Sequence, residues 1–491
     1  MRKFKNKYAY LICFLLSSCL SLSQKELTQN VLELPSMEKS TQEGMKSGYF
    51  VEGAWPEKEW WHIYGEEKLN QLMQVALNSN PNIQSIQQKV QVAKQNAVVV
   101  RSKLFPLLFF NYDETWQYLS QNGLFRAFNK NIPLNANLID LSLSFNYEFD
   151  FWSKNLNAFR AAIGITKANE AEAAQVELIT TTAVAQAYFA LKTNMKKREL
   201  FRKITQVTQD ILELQNLLKK EALFSRLTPL GGFENYQTAQ KNLISISEEI
   251  QTNYHLLNIL LGRGPDEEIL LDEKFADLPK QIVLPSRLSL DLLSRRPDLM
   301  AQIWKVESFS KEVAIARADF YPSVNLMGLV GLESTAFAKL LHWSSQTRAI
   351  QPAINLPIFT AGAIRANVRS KMAAFEESVF QYNQLILQST QEVADIISFA
   401  QSVFERKDLQ QQIVSEAKEL LNLIELRYEK GLDNLFAVYE NRVKVYEKEL
   451  EDLNLLYNQY LSSIRLIKSL GGGYISDLVP VKAQEVSQDG M

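Results

Sequence analysis

Glycine and proline are scarce in this chain. Among 491 residues there are 18 Gly and 14 Pro, about half the usual share, so the sequence predicts long uninterrupted elements and excludes a low-complexity chain. Cysteine and histidine are scarcer still: 2 Cys and 3 His, the latter at His62, His255 and His342. So few and so far apart, they exclude a disulfide framework and a zinc site. No charge of one sign dominates, because 53 basic side chains face 55 acidic ones for a net charge of −2. Nucleic acid is therefore not expected as a partner. A catalytic constellation is missing too: the histidines have no Ser or Cys partner at a recognisable spacing. The clusters Gly262-Arg263-Gly264-Pro265 and Gly471-Gly472-Gly473 follow helical patterns, whereas a phosphate loop precedes a helix. They read as helix stops, and neither enzyme activity nor a metal nor a bound cofactor is expected. What remains is a chain of 46% hydrophobic and 22% charged residues, enough to bury a large apolar surface.

The apolar residues first concentrate near the N-terminus. Met1-Arg2-Lys3-Phe4-Lys5-Asn6-Lys7 carries the charge, Tyr8 to Leu16 is apolar, and Ser17-Ser18-Cys19 follows. That order makes an export signal, too short for a retained spanning helix. Leu16-Ser17-Ser18-Cys19 resembles the bacterial lipobox, in which the cysteine is lipidated and becomes the first mature residue. Residues 1–18 thus read as a lipoprotein signal peptide, with an ordinary signal peptide and an incidental cysteine as the alternative. Cleavage would remove Arg2, Lys3, Lys5, Lys7 and Cys13, bringing the net charge to −6 and leaving Cys19 as the last cysteine. A covalent lipid on Cys19 would hold the chain at a membrane surface. Beyond it no run of 18 apolar residues occurs, so any spanning part must come from strands.

The chain repeats itself. Asn80-Pro81-Asn82 recurs as Arg296-Pro297-Asp298 and Phe105-Pro106 as Tyr321-Pro322, both at an offset of 216 residues. Val184-Ala185-Gln186 recurs as Val393-Ala394-Asp395 and Leu261-Gly262 as Leu470-Gly471, both at 209. Two homologous halves, 66–264 and 288–474, follow from this, the second with a shorter connection between its strands. The segments 19–65, 265–287 and 475–491 lie outside the repeat.

Each half carries the same signals. A short helix ends before the first proline (Leu69 to Asn78; Leu288 to Ser294), and a second runs to the next (Asn82 to Leu104; Asp298 to Phe320), because proline and its predecessor break helices. Two stretches of period-two alternation follow. The clearest puts Leu141, Leu143, Phe145, Tyr147 and Phe149 on one face and Ser142, Ser144, Asn146, Glu148 and Asp150 on the other. Phe109 to Tyr118, Val324 to Leu332 and Ala349 to Ile358 are its companions, giving four strands per chain. Then comes a long helical pattern, Leu156 to Ala222 and its counterpart ending near Glu429, where Ile364, Val368, Met372, Phe375, Val379, Tyr382 and Ile386 form a heptad seam. Return helices Leu230 to Leu261 and Leu435 to Leu470 follow. The short helices stacked end to end would match each long one and cover its apolar seam. Strands of this length suit a tilted membrane span with a wet inner face, and so small a sheet needs oligomerisation to lose its edges. A soluble meander sheet over a helical core is the alternative reading of the same pattern, and a coiled-coil scaffold without a pore the alternative function.

With these signals in this order, the chain resembles the outer-membrane factor family typified by TolC, in its lipoprotein efflux branch of the NodT or OprM type. The resemblance covers nearly the whole mature chain. Besides the lipobox and the two halves it rests on Leu356-Pro357-Ile358-Phe359 before Gly362, on Arg365-Ala366-Asn367, on Arg427-Tyr428-Glu429-Lys430-Gly431 and on Leu470-Gly471-Gly472-Gly473-Tyr474. It implies a mainly α fold with membrane β: a homotrimer in which four strands per protomer form a twelve-stranded outer-membrane barrel, continued by an α-helical periplasmic tunnel of antiparallel coiled-coil helices. A collar would surround the tunnel near 20–65, 265–287 and 475–491. The implied function is the passive exit duct of a tripartite efflux pump for small molecules such as drugs, partnered by a periplasmic adaptor and an inner-membrane transporter of the RND type. Some family members export polypeptides, which makes a secretion pore the alternative.

The family closes its tunnel with inward acidic side chains six and nine residues after the glycine matching Gly431. Those positions hold Ala437 and Glu440, so one acid is absent and one is conservatively replaced. Glu440, tripled by symmetry, would form a negative constriction that favours cations. Asp433 and Tyr428 match positions where the family holds the tip closed. The plainer alternative pairs Glu440 with Arg442 or Lys444 on a solvated face.

Overall fold

The computed structural model describes residues 32, 35–223, 225–271, 275, 281–285 and 288–476; Cys13, Cys19 and the lipobox lie outside them. Proline marks the joints as the sequence predicts. In the first half α2 (Glu67–Ser79) gives way to α3 (Pro81–Ser102), whose first residue is proline. Its N–H would have been unsatisfied there anyway. Strand β2 (Leu107–Tyr118), a short α4 (Leu124–Phe128) and β3 (Asn135–Phe149) come next, then the long α5 (Lys154–Lys220) and its return α6 (Leu227–Leu260). Ahead of these lie α1 (Glu38–Lys46), β1 (Phe50–Gly53) and a 3-10 turn at Trp60–Tyr64. The second half repeats the order after β4 (Ile282–Pro285): α7 (Leu288–Arg295), α8 (Pro297–Ala318), β5 (Ser323–Ser334), α9 (Phe337–Leu340), β6 (Gln346–Asn355), α10 (Ala363–Glu429) and α11 (Leu435–Ser469).

Both long helices have 67 residues, rods of roughly 100 Å at about 1.5 Å per residue. Neither could stand alone in water, since most helical stability comes from a packed face. Helix α5 packs against α3 and α6 and, across the halves, against α8 and α11, while α10 packs against α8 and α11. The heptad seam of α10 is buried at Val368, Phe375, Val379, Tyr382 and Ile386, with Leu299, Val306, Phe309 and Val313 of α8 opposite.

The stacking of short helices depends on two joints. Gly262 adopts φ +72 and lies against the Ser79 carbonyl, so a Cβ there would collide with backbone. This close approach lets the Asn80 side chain serve both ends. Its Oδ1 accepts from Asn82 N at 2.9 Å and Ile83 N at 3.3 Å, capping α3, and its Nδ2 donates to Leu260 O at 2.8 Å, closing α6. At the second joint Gly471, with φ +91, lies against the Arg295 carbonyl. There the buried Arg296 donates to Ser469 O at 3.1 Å, to Glu392 at 2.9 Å and bidentately to Asp298 at 3.1 and 2.8 Å. Burial opposes the charge of its guanidinium, but Asp298 and Glu392 outweigh it and raise the pKa.

Four antiparallel strands form one sheet in the order β2-β3-β5-β6. Because each pairs with its neighbour in sequence among the large strands, both hairpin connections, 119–134 and 335–345, lie at the end away from the long helices. The second connection is the shorter, as the change of repeat offset predicts.

The four strands the sequence predicts form this sheet, and the described residues contain two further short ones that it missed. Strands β1 and β4 form a separate parallel pair, Phe50 opposite Ile282 and Gly53 opposite Pro285. Four residues each show no useful alternation, and their partners are more than two hundred positions apart. They pack with Met37, Leu288 and Leu292 on the middle of α10, at Val393, Ile397, Ala400 and Phe404. On the first half Trp60, Trp61 and Tyr64 do the same for the middle of α5, at Val184, Tyr188, Phe189 and Leu191. Beneath them Lys192, fully buried, pairs with Glu66 at 2.8 Å, and Tyr188 donates to the same carboxylate at 2.7 Å. A buried charge is tolerated only with such partners.

Candidate functional site

Register decides which side chains share a face of the sheet. Residues directly opposite one another point the same way. From β2 to β6 one row runs Leu108, Phe145, Gly328, Ile350; the next runs Phe110, Leu143, Val330, Arg348. Further from the connections Tyr147 faces Leu326, which faces Pro352, and Phe149 faces Val324, which faces Ile354. The Phe145 ring covers Gly328, so any Cβ there would collide with it. The result is an apolar face continuous over all four strands. Its polar members, Glu114, Asn135, Asn137, Ser334, Gln346 and Arg348, lie toward the connections, where Glu114 accepts from Tyr112 at 2.9 Å and from Asn137 at 3.1 Å.

The other face is mostly small or polar, with Leu107, Phe109, Met327 and Leu329 toward its helix end. Asn111 donates to Ser144 at 2.9 Å and Ser142 to Asp140 at 2.6 Å. On that face Asp113 is opposite Asp140, and Asp140 is opposite Glu333. Like charges directly opposed are destabilising, so this row requires water of high dielectric. One face thus fits lipid and the other an aqueous lumen. The outer strands β2 and β6 have one neighbour each, and lipid does not tolerate an unpaired strand edge.

At the opposite end of the molecule the long helices turn back. Helix α10 closes with Leu432 N donating to Arg427 O and Gly431 N to Tyr428 O, both at 2.9 Å, a Schellman turn with Gly431 at φ +70. Helix α5 closes the same way, Leu223 N to Leu218 O and Ala222 N to Lys219 O, but with alanine at φ +57. Asn434 then caps α11 by accepting from Ala437 N at 2.9 Å.

The three tip residues singled out by resemblance have different surroundings. Asp433 accepts from Arg427 Nε at 3.1 Å, and the same guanidinium reaches Leu432 O at 3.4 Å. Sequence reasoning missed Arg427 as its partner, although a cation in a last helical turn followed by an acid just past the glycine is a readable signal. Tyr428, on the same last turn, is exposed. Glu440 is exposed as well, at the rim of a cavity of about 370 Å³ between α5, α6 and α11 that Thr208, Asn235, Asn242 and Lys444 also line. Arg442 is held elsewhere, donating to Glu425 Oε1 at 2.9 and 2.7 Å. Among the described residues no ion pair joins Glu440 to Arg442 or Lys444. The structure does not bring Glu440 to Asp433 or Tyr428 by any direct bond among the described residues.

A two-faced sheet continued by paired rods defines a class: protomers of outer-membrane channels with a helical extension. The chain belongs to the outer membrane efflux protein family, which matches it twice, over residues 72–263 and 288–472. It is 28% identical over 432 residues to the multidrug resistance outer membrane protein MdtQ of Escherichia coli O6:H1, spanning 86% of this chain and 90% of that one. The crystal structure of the outer membrane protein VceC of Vibrio cholerae matches with a TM-score of 0.76 at 28% identity, over 85% of this chain and 100% of that one. The open-state MtrE outer membrane channel of Neisseria gonorrhoeae shares the fold, with a TM-score of 0.75 at 22% identity over 91% of this chain and 94% of that one. Family and fold place this chain in the outer membrane as an efflux channel.

Proposed function

We propose that three copies of this chain close a twelve-stranded barrel and serve as the exit duct of a tripartite pump for small molecules, drugs among them. The observation that carries this is the sheet: its apolar face runs unbroken across four strands whose two outer members each lack a second neighbour. Neighbouring copies satisfy those edges. The relative MdtQ bears the name of a multidrug resistance protein, which supports drugs as cargo. In this reading a periplasmic adaptor and an inner-membrane transporter of the RND type supply the coupling and the energy, and a lipid on Cys19 holds the N-terminus at the outer membrane. No cofactor takes part. The purified full chain is expected as a heat-dissociable trimer that conducts ions in planar bilayers; a monomer without conductance would sink the proposal. Palmitate labelling that survives Cys19→Ala would remove the anchor.

At the tip, Glu440 supplies the charge of the constriction, and Asp433 and Tyr428 make the contacts that hold the tip closed. Support comes from the exposure of Glu440 and from the engagement of Arg442 with Glu425, which leaves the carboxylate uncompensated by that neighbour. Carboxylates tripled in a narrow pore raise the local cation concentration. Glu440→Gln is therefore expected to lower cation preference and divalent block in single-channel recordings. Unchanged selectivity would exclude Glu440 from the constriction.

A further inference from the structure

The two connections at the outer end of the sheet differ from the rest of the chain in charge. Residues 119–134 contain Arg126 and Lys130, residues 335–345 contain Lys339 and His342, and neither segment has an Asp or Glu. The whole chain has net charge −2, so this end is a cationic exception. It is also apolar. Leu124, Phe125, Phe128, Phe337, Leu341 and Trp343 are 61–82% exposed, on short helical turns that bury almost nothing. The Arg126 guanidinium is turned to its own loop, donating to Lys130 O at 2.6 Å and Ile132 O at 3.0 Å, which fixes the loop's shape. The outward cations are Lys130 and Lys339, exposed and without an ion pair among the described residues.

A surface of large apolar side chains with lysines and no acids matches an anionic membrane interface. It is continuous with the lipid-facing side of the sheet, where Trp116 and Tyr118 share the apolar face at this same end. Aromatic rings gather at that level in membrane barrels. We propose that both connections lie on the outer leaflet and bind phosphate-bearing lipid, with Lys130 and Lys339 on the phosphates and the apolar side chains among the acyl chains. Folding across the pore mouth is the competing arrangement. It would bring the lysines toward the lumen-facing Asp140 and Glu333 but leave the large apolar side chains of both connections in water, whereas on the leaflet those side chains meet acyl chains and each lysine a phosphate.

The proposal rests on the outer-membrane channel reading, and its test separates the two. The full chain is reconstituted in vesicles of brominated phosphatidylcholine, with and without bis-phosphorylated lipid A. Emission of Trp343 and Trp116 is isolated by difference from Trp343→Phe and Trp116→Phe. Both tryptophans are expected to be quenched, that of Trp343 increasing with lipid A. Lys130→Gln and Lys339→Gln should each raise the lipid A concentration at half-effect about fivefold. Quenched Trp116 with unquenched Trp343 would place the connections over the mouth and overturn the proposal. Indifference of Trp343 to lipid A and to both lysine substitutions would overturn it too. If Trp116 itself stayed unquenched, the membrane reading would fail, and the proposal with it.

Discussion

At the first half's joint a neutral amide caps α3 and reaches the last carbonyl of α6; at the second a guanidinium reaches the end of α11 while Asp298, in the first turn of α8, accepts from Leu299 N at 2.8 Å. The backbone problem is the same in both, since two helices meeting end to end leave orphan N–H and C=O groups that must find partners. The solutions differ in reach. Asn80 closes its joint locally, whereas Arg296 extends to Glu392 and so ties its joint to the long helix α10. Duplicated units thus keep the geometry of a joint while one of them acquires a brace to a neighbour.

The largest expected effect breaks that brace. Arg296→Leu leaves Asp298 in a poorly solvated site without its bidentate partner and strands the Ser469 carbonyl. Losing one member of a buried pair costs about 3 kcal/mol. Asn80→Ala removes a cap and one carbonyl bond, which costs about 1 kcal/mol. The thermal midpoint of the purified chain should fall accordingly, by clearly more for Arg296→Leu. Equal losses would mean that the charge adds nothing to what the amide does.

Much of this architecture is legible in the chain, because prolines and glycines punctuate it: Pro81 and Pro297 open helices, and Gly431 and Gly471 end them. The seam from Ile364 to Ile386 is legible for a similar reason, its spacing being a local property. Contacts that join distant segments leave no such trace. Phe50-Val51-Glu52-Gly53 announces neither a strand nor its partner Ile282. Nor does anything near Glu440 reveal that Thr208, Asn235 and Asn242 of the other half share its cavity. Resemblance named Asp433, Tyr428 and Glu440 but not the Arg427 that holds Asp433.

The two tip turns sharpen the comparison at smaller energies. Both are Schellman turns, yet one places glycine and the other alanine in the left-handed region. That region costs an L-residue about 1 kcal/mol. Ala222→Gly should therefore stabilise the first tip and Gly431→Ala destabilise the second, each by about 1 kcal/mol. Hydrogen-exchange protection of the last turns of α5 and α10 reads the effect locally. Shifts of the same sign would show that the two turns are not equivalent.

The smallest effect concerns the contact between halves. Glu172 on α5 lies between Lys89 of α3 and Lys305 of α8, each at 2.6 Å, so one carboxylate bridges both halves. Partial burial pushes its pKa up, but the two lysines push it down further, and the net value is lowered. A group with a lowered folded pKa stabilises the fold above its unfolded value, and that contribution is lost as pH falls through the folded one. Stability from this bridge is thus present at neutral pH and begins to fall away below about pH 4, the ordinary carboxylate range. The lysines are solvent-accessible, which keeps the contribution under about 1 kcal/mol. Glu172→Gln should lower the thermal midpoint slightly at pH 7, by progressively less as the pH falls below the ordinary carboxylate range, and should weaken the salt response at neutral pH. An identical pH slope with and without the carboxylate would mean that this bridge adds nothing to the other contacts joining α5 to its neighbours on both sides.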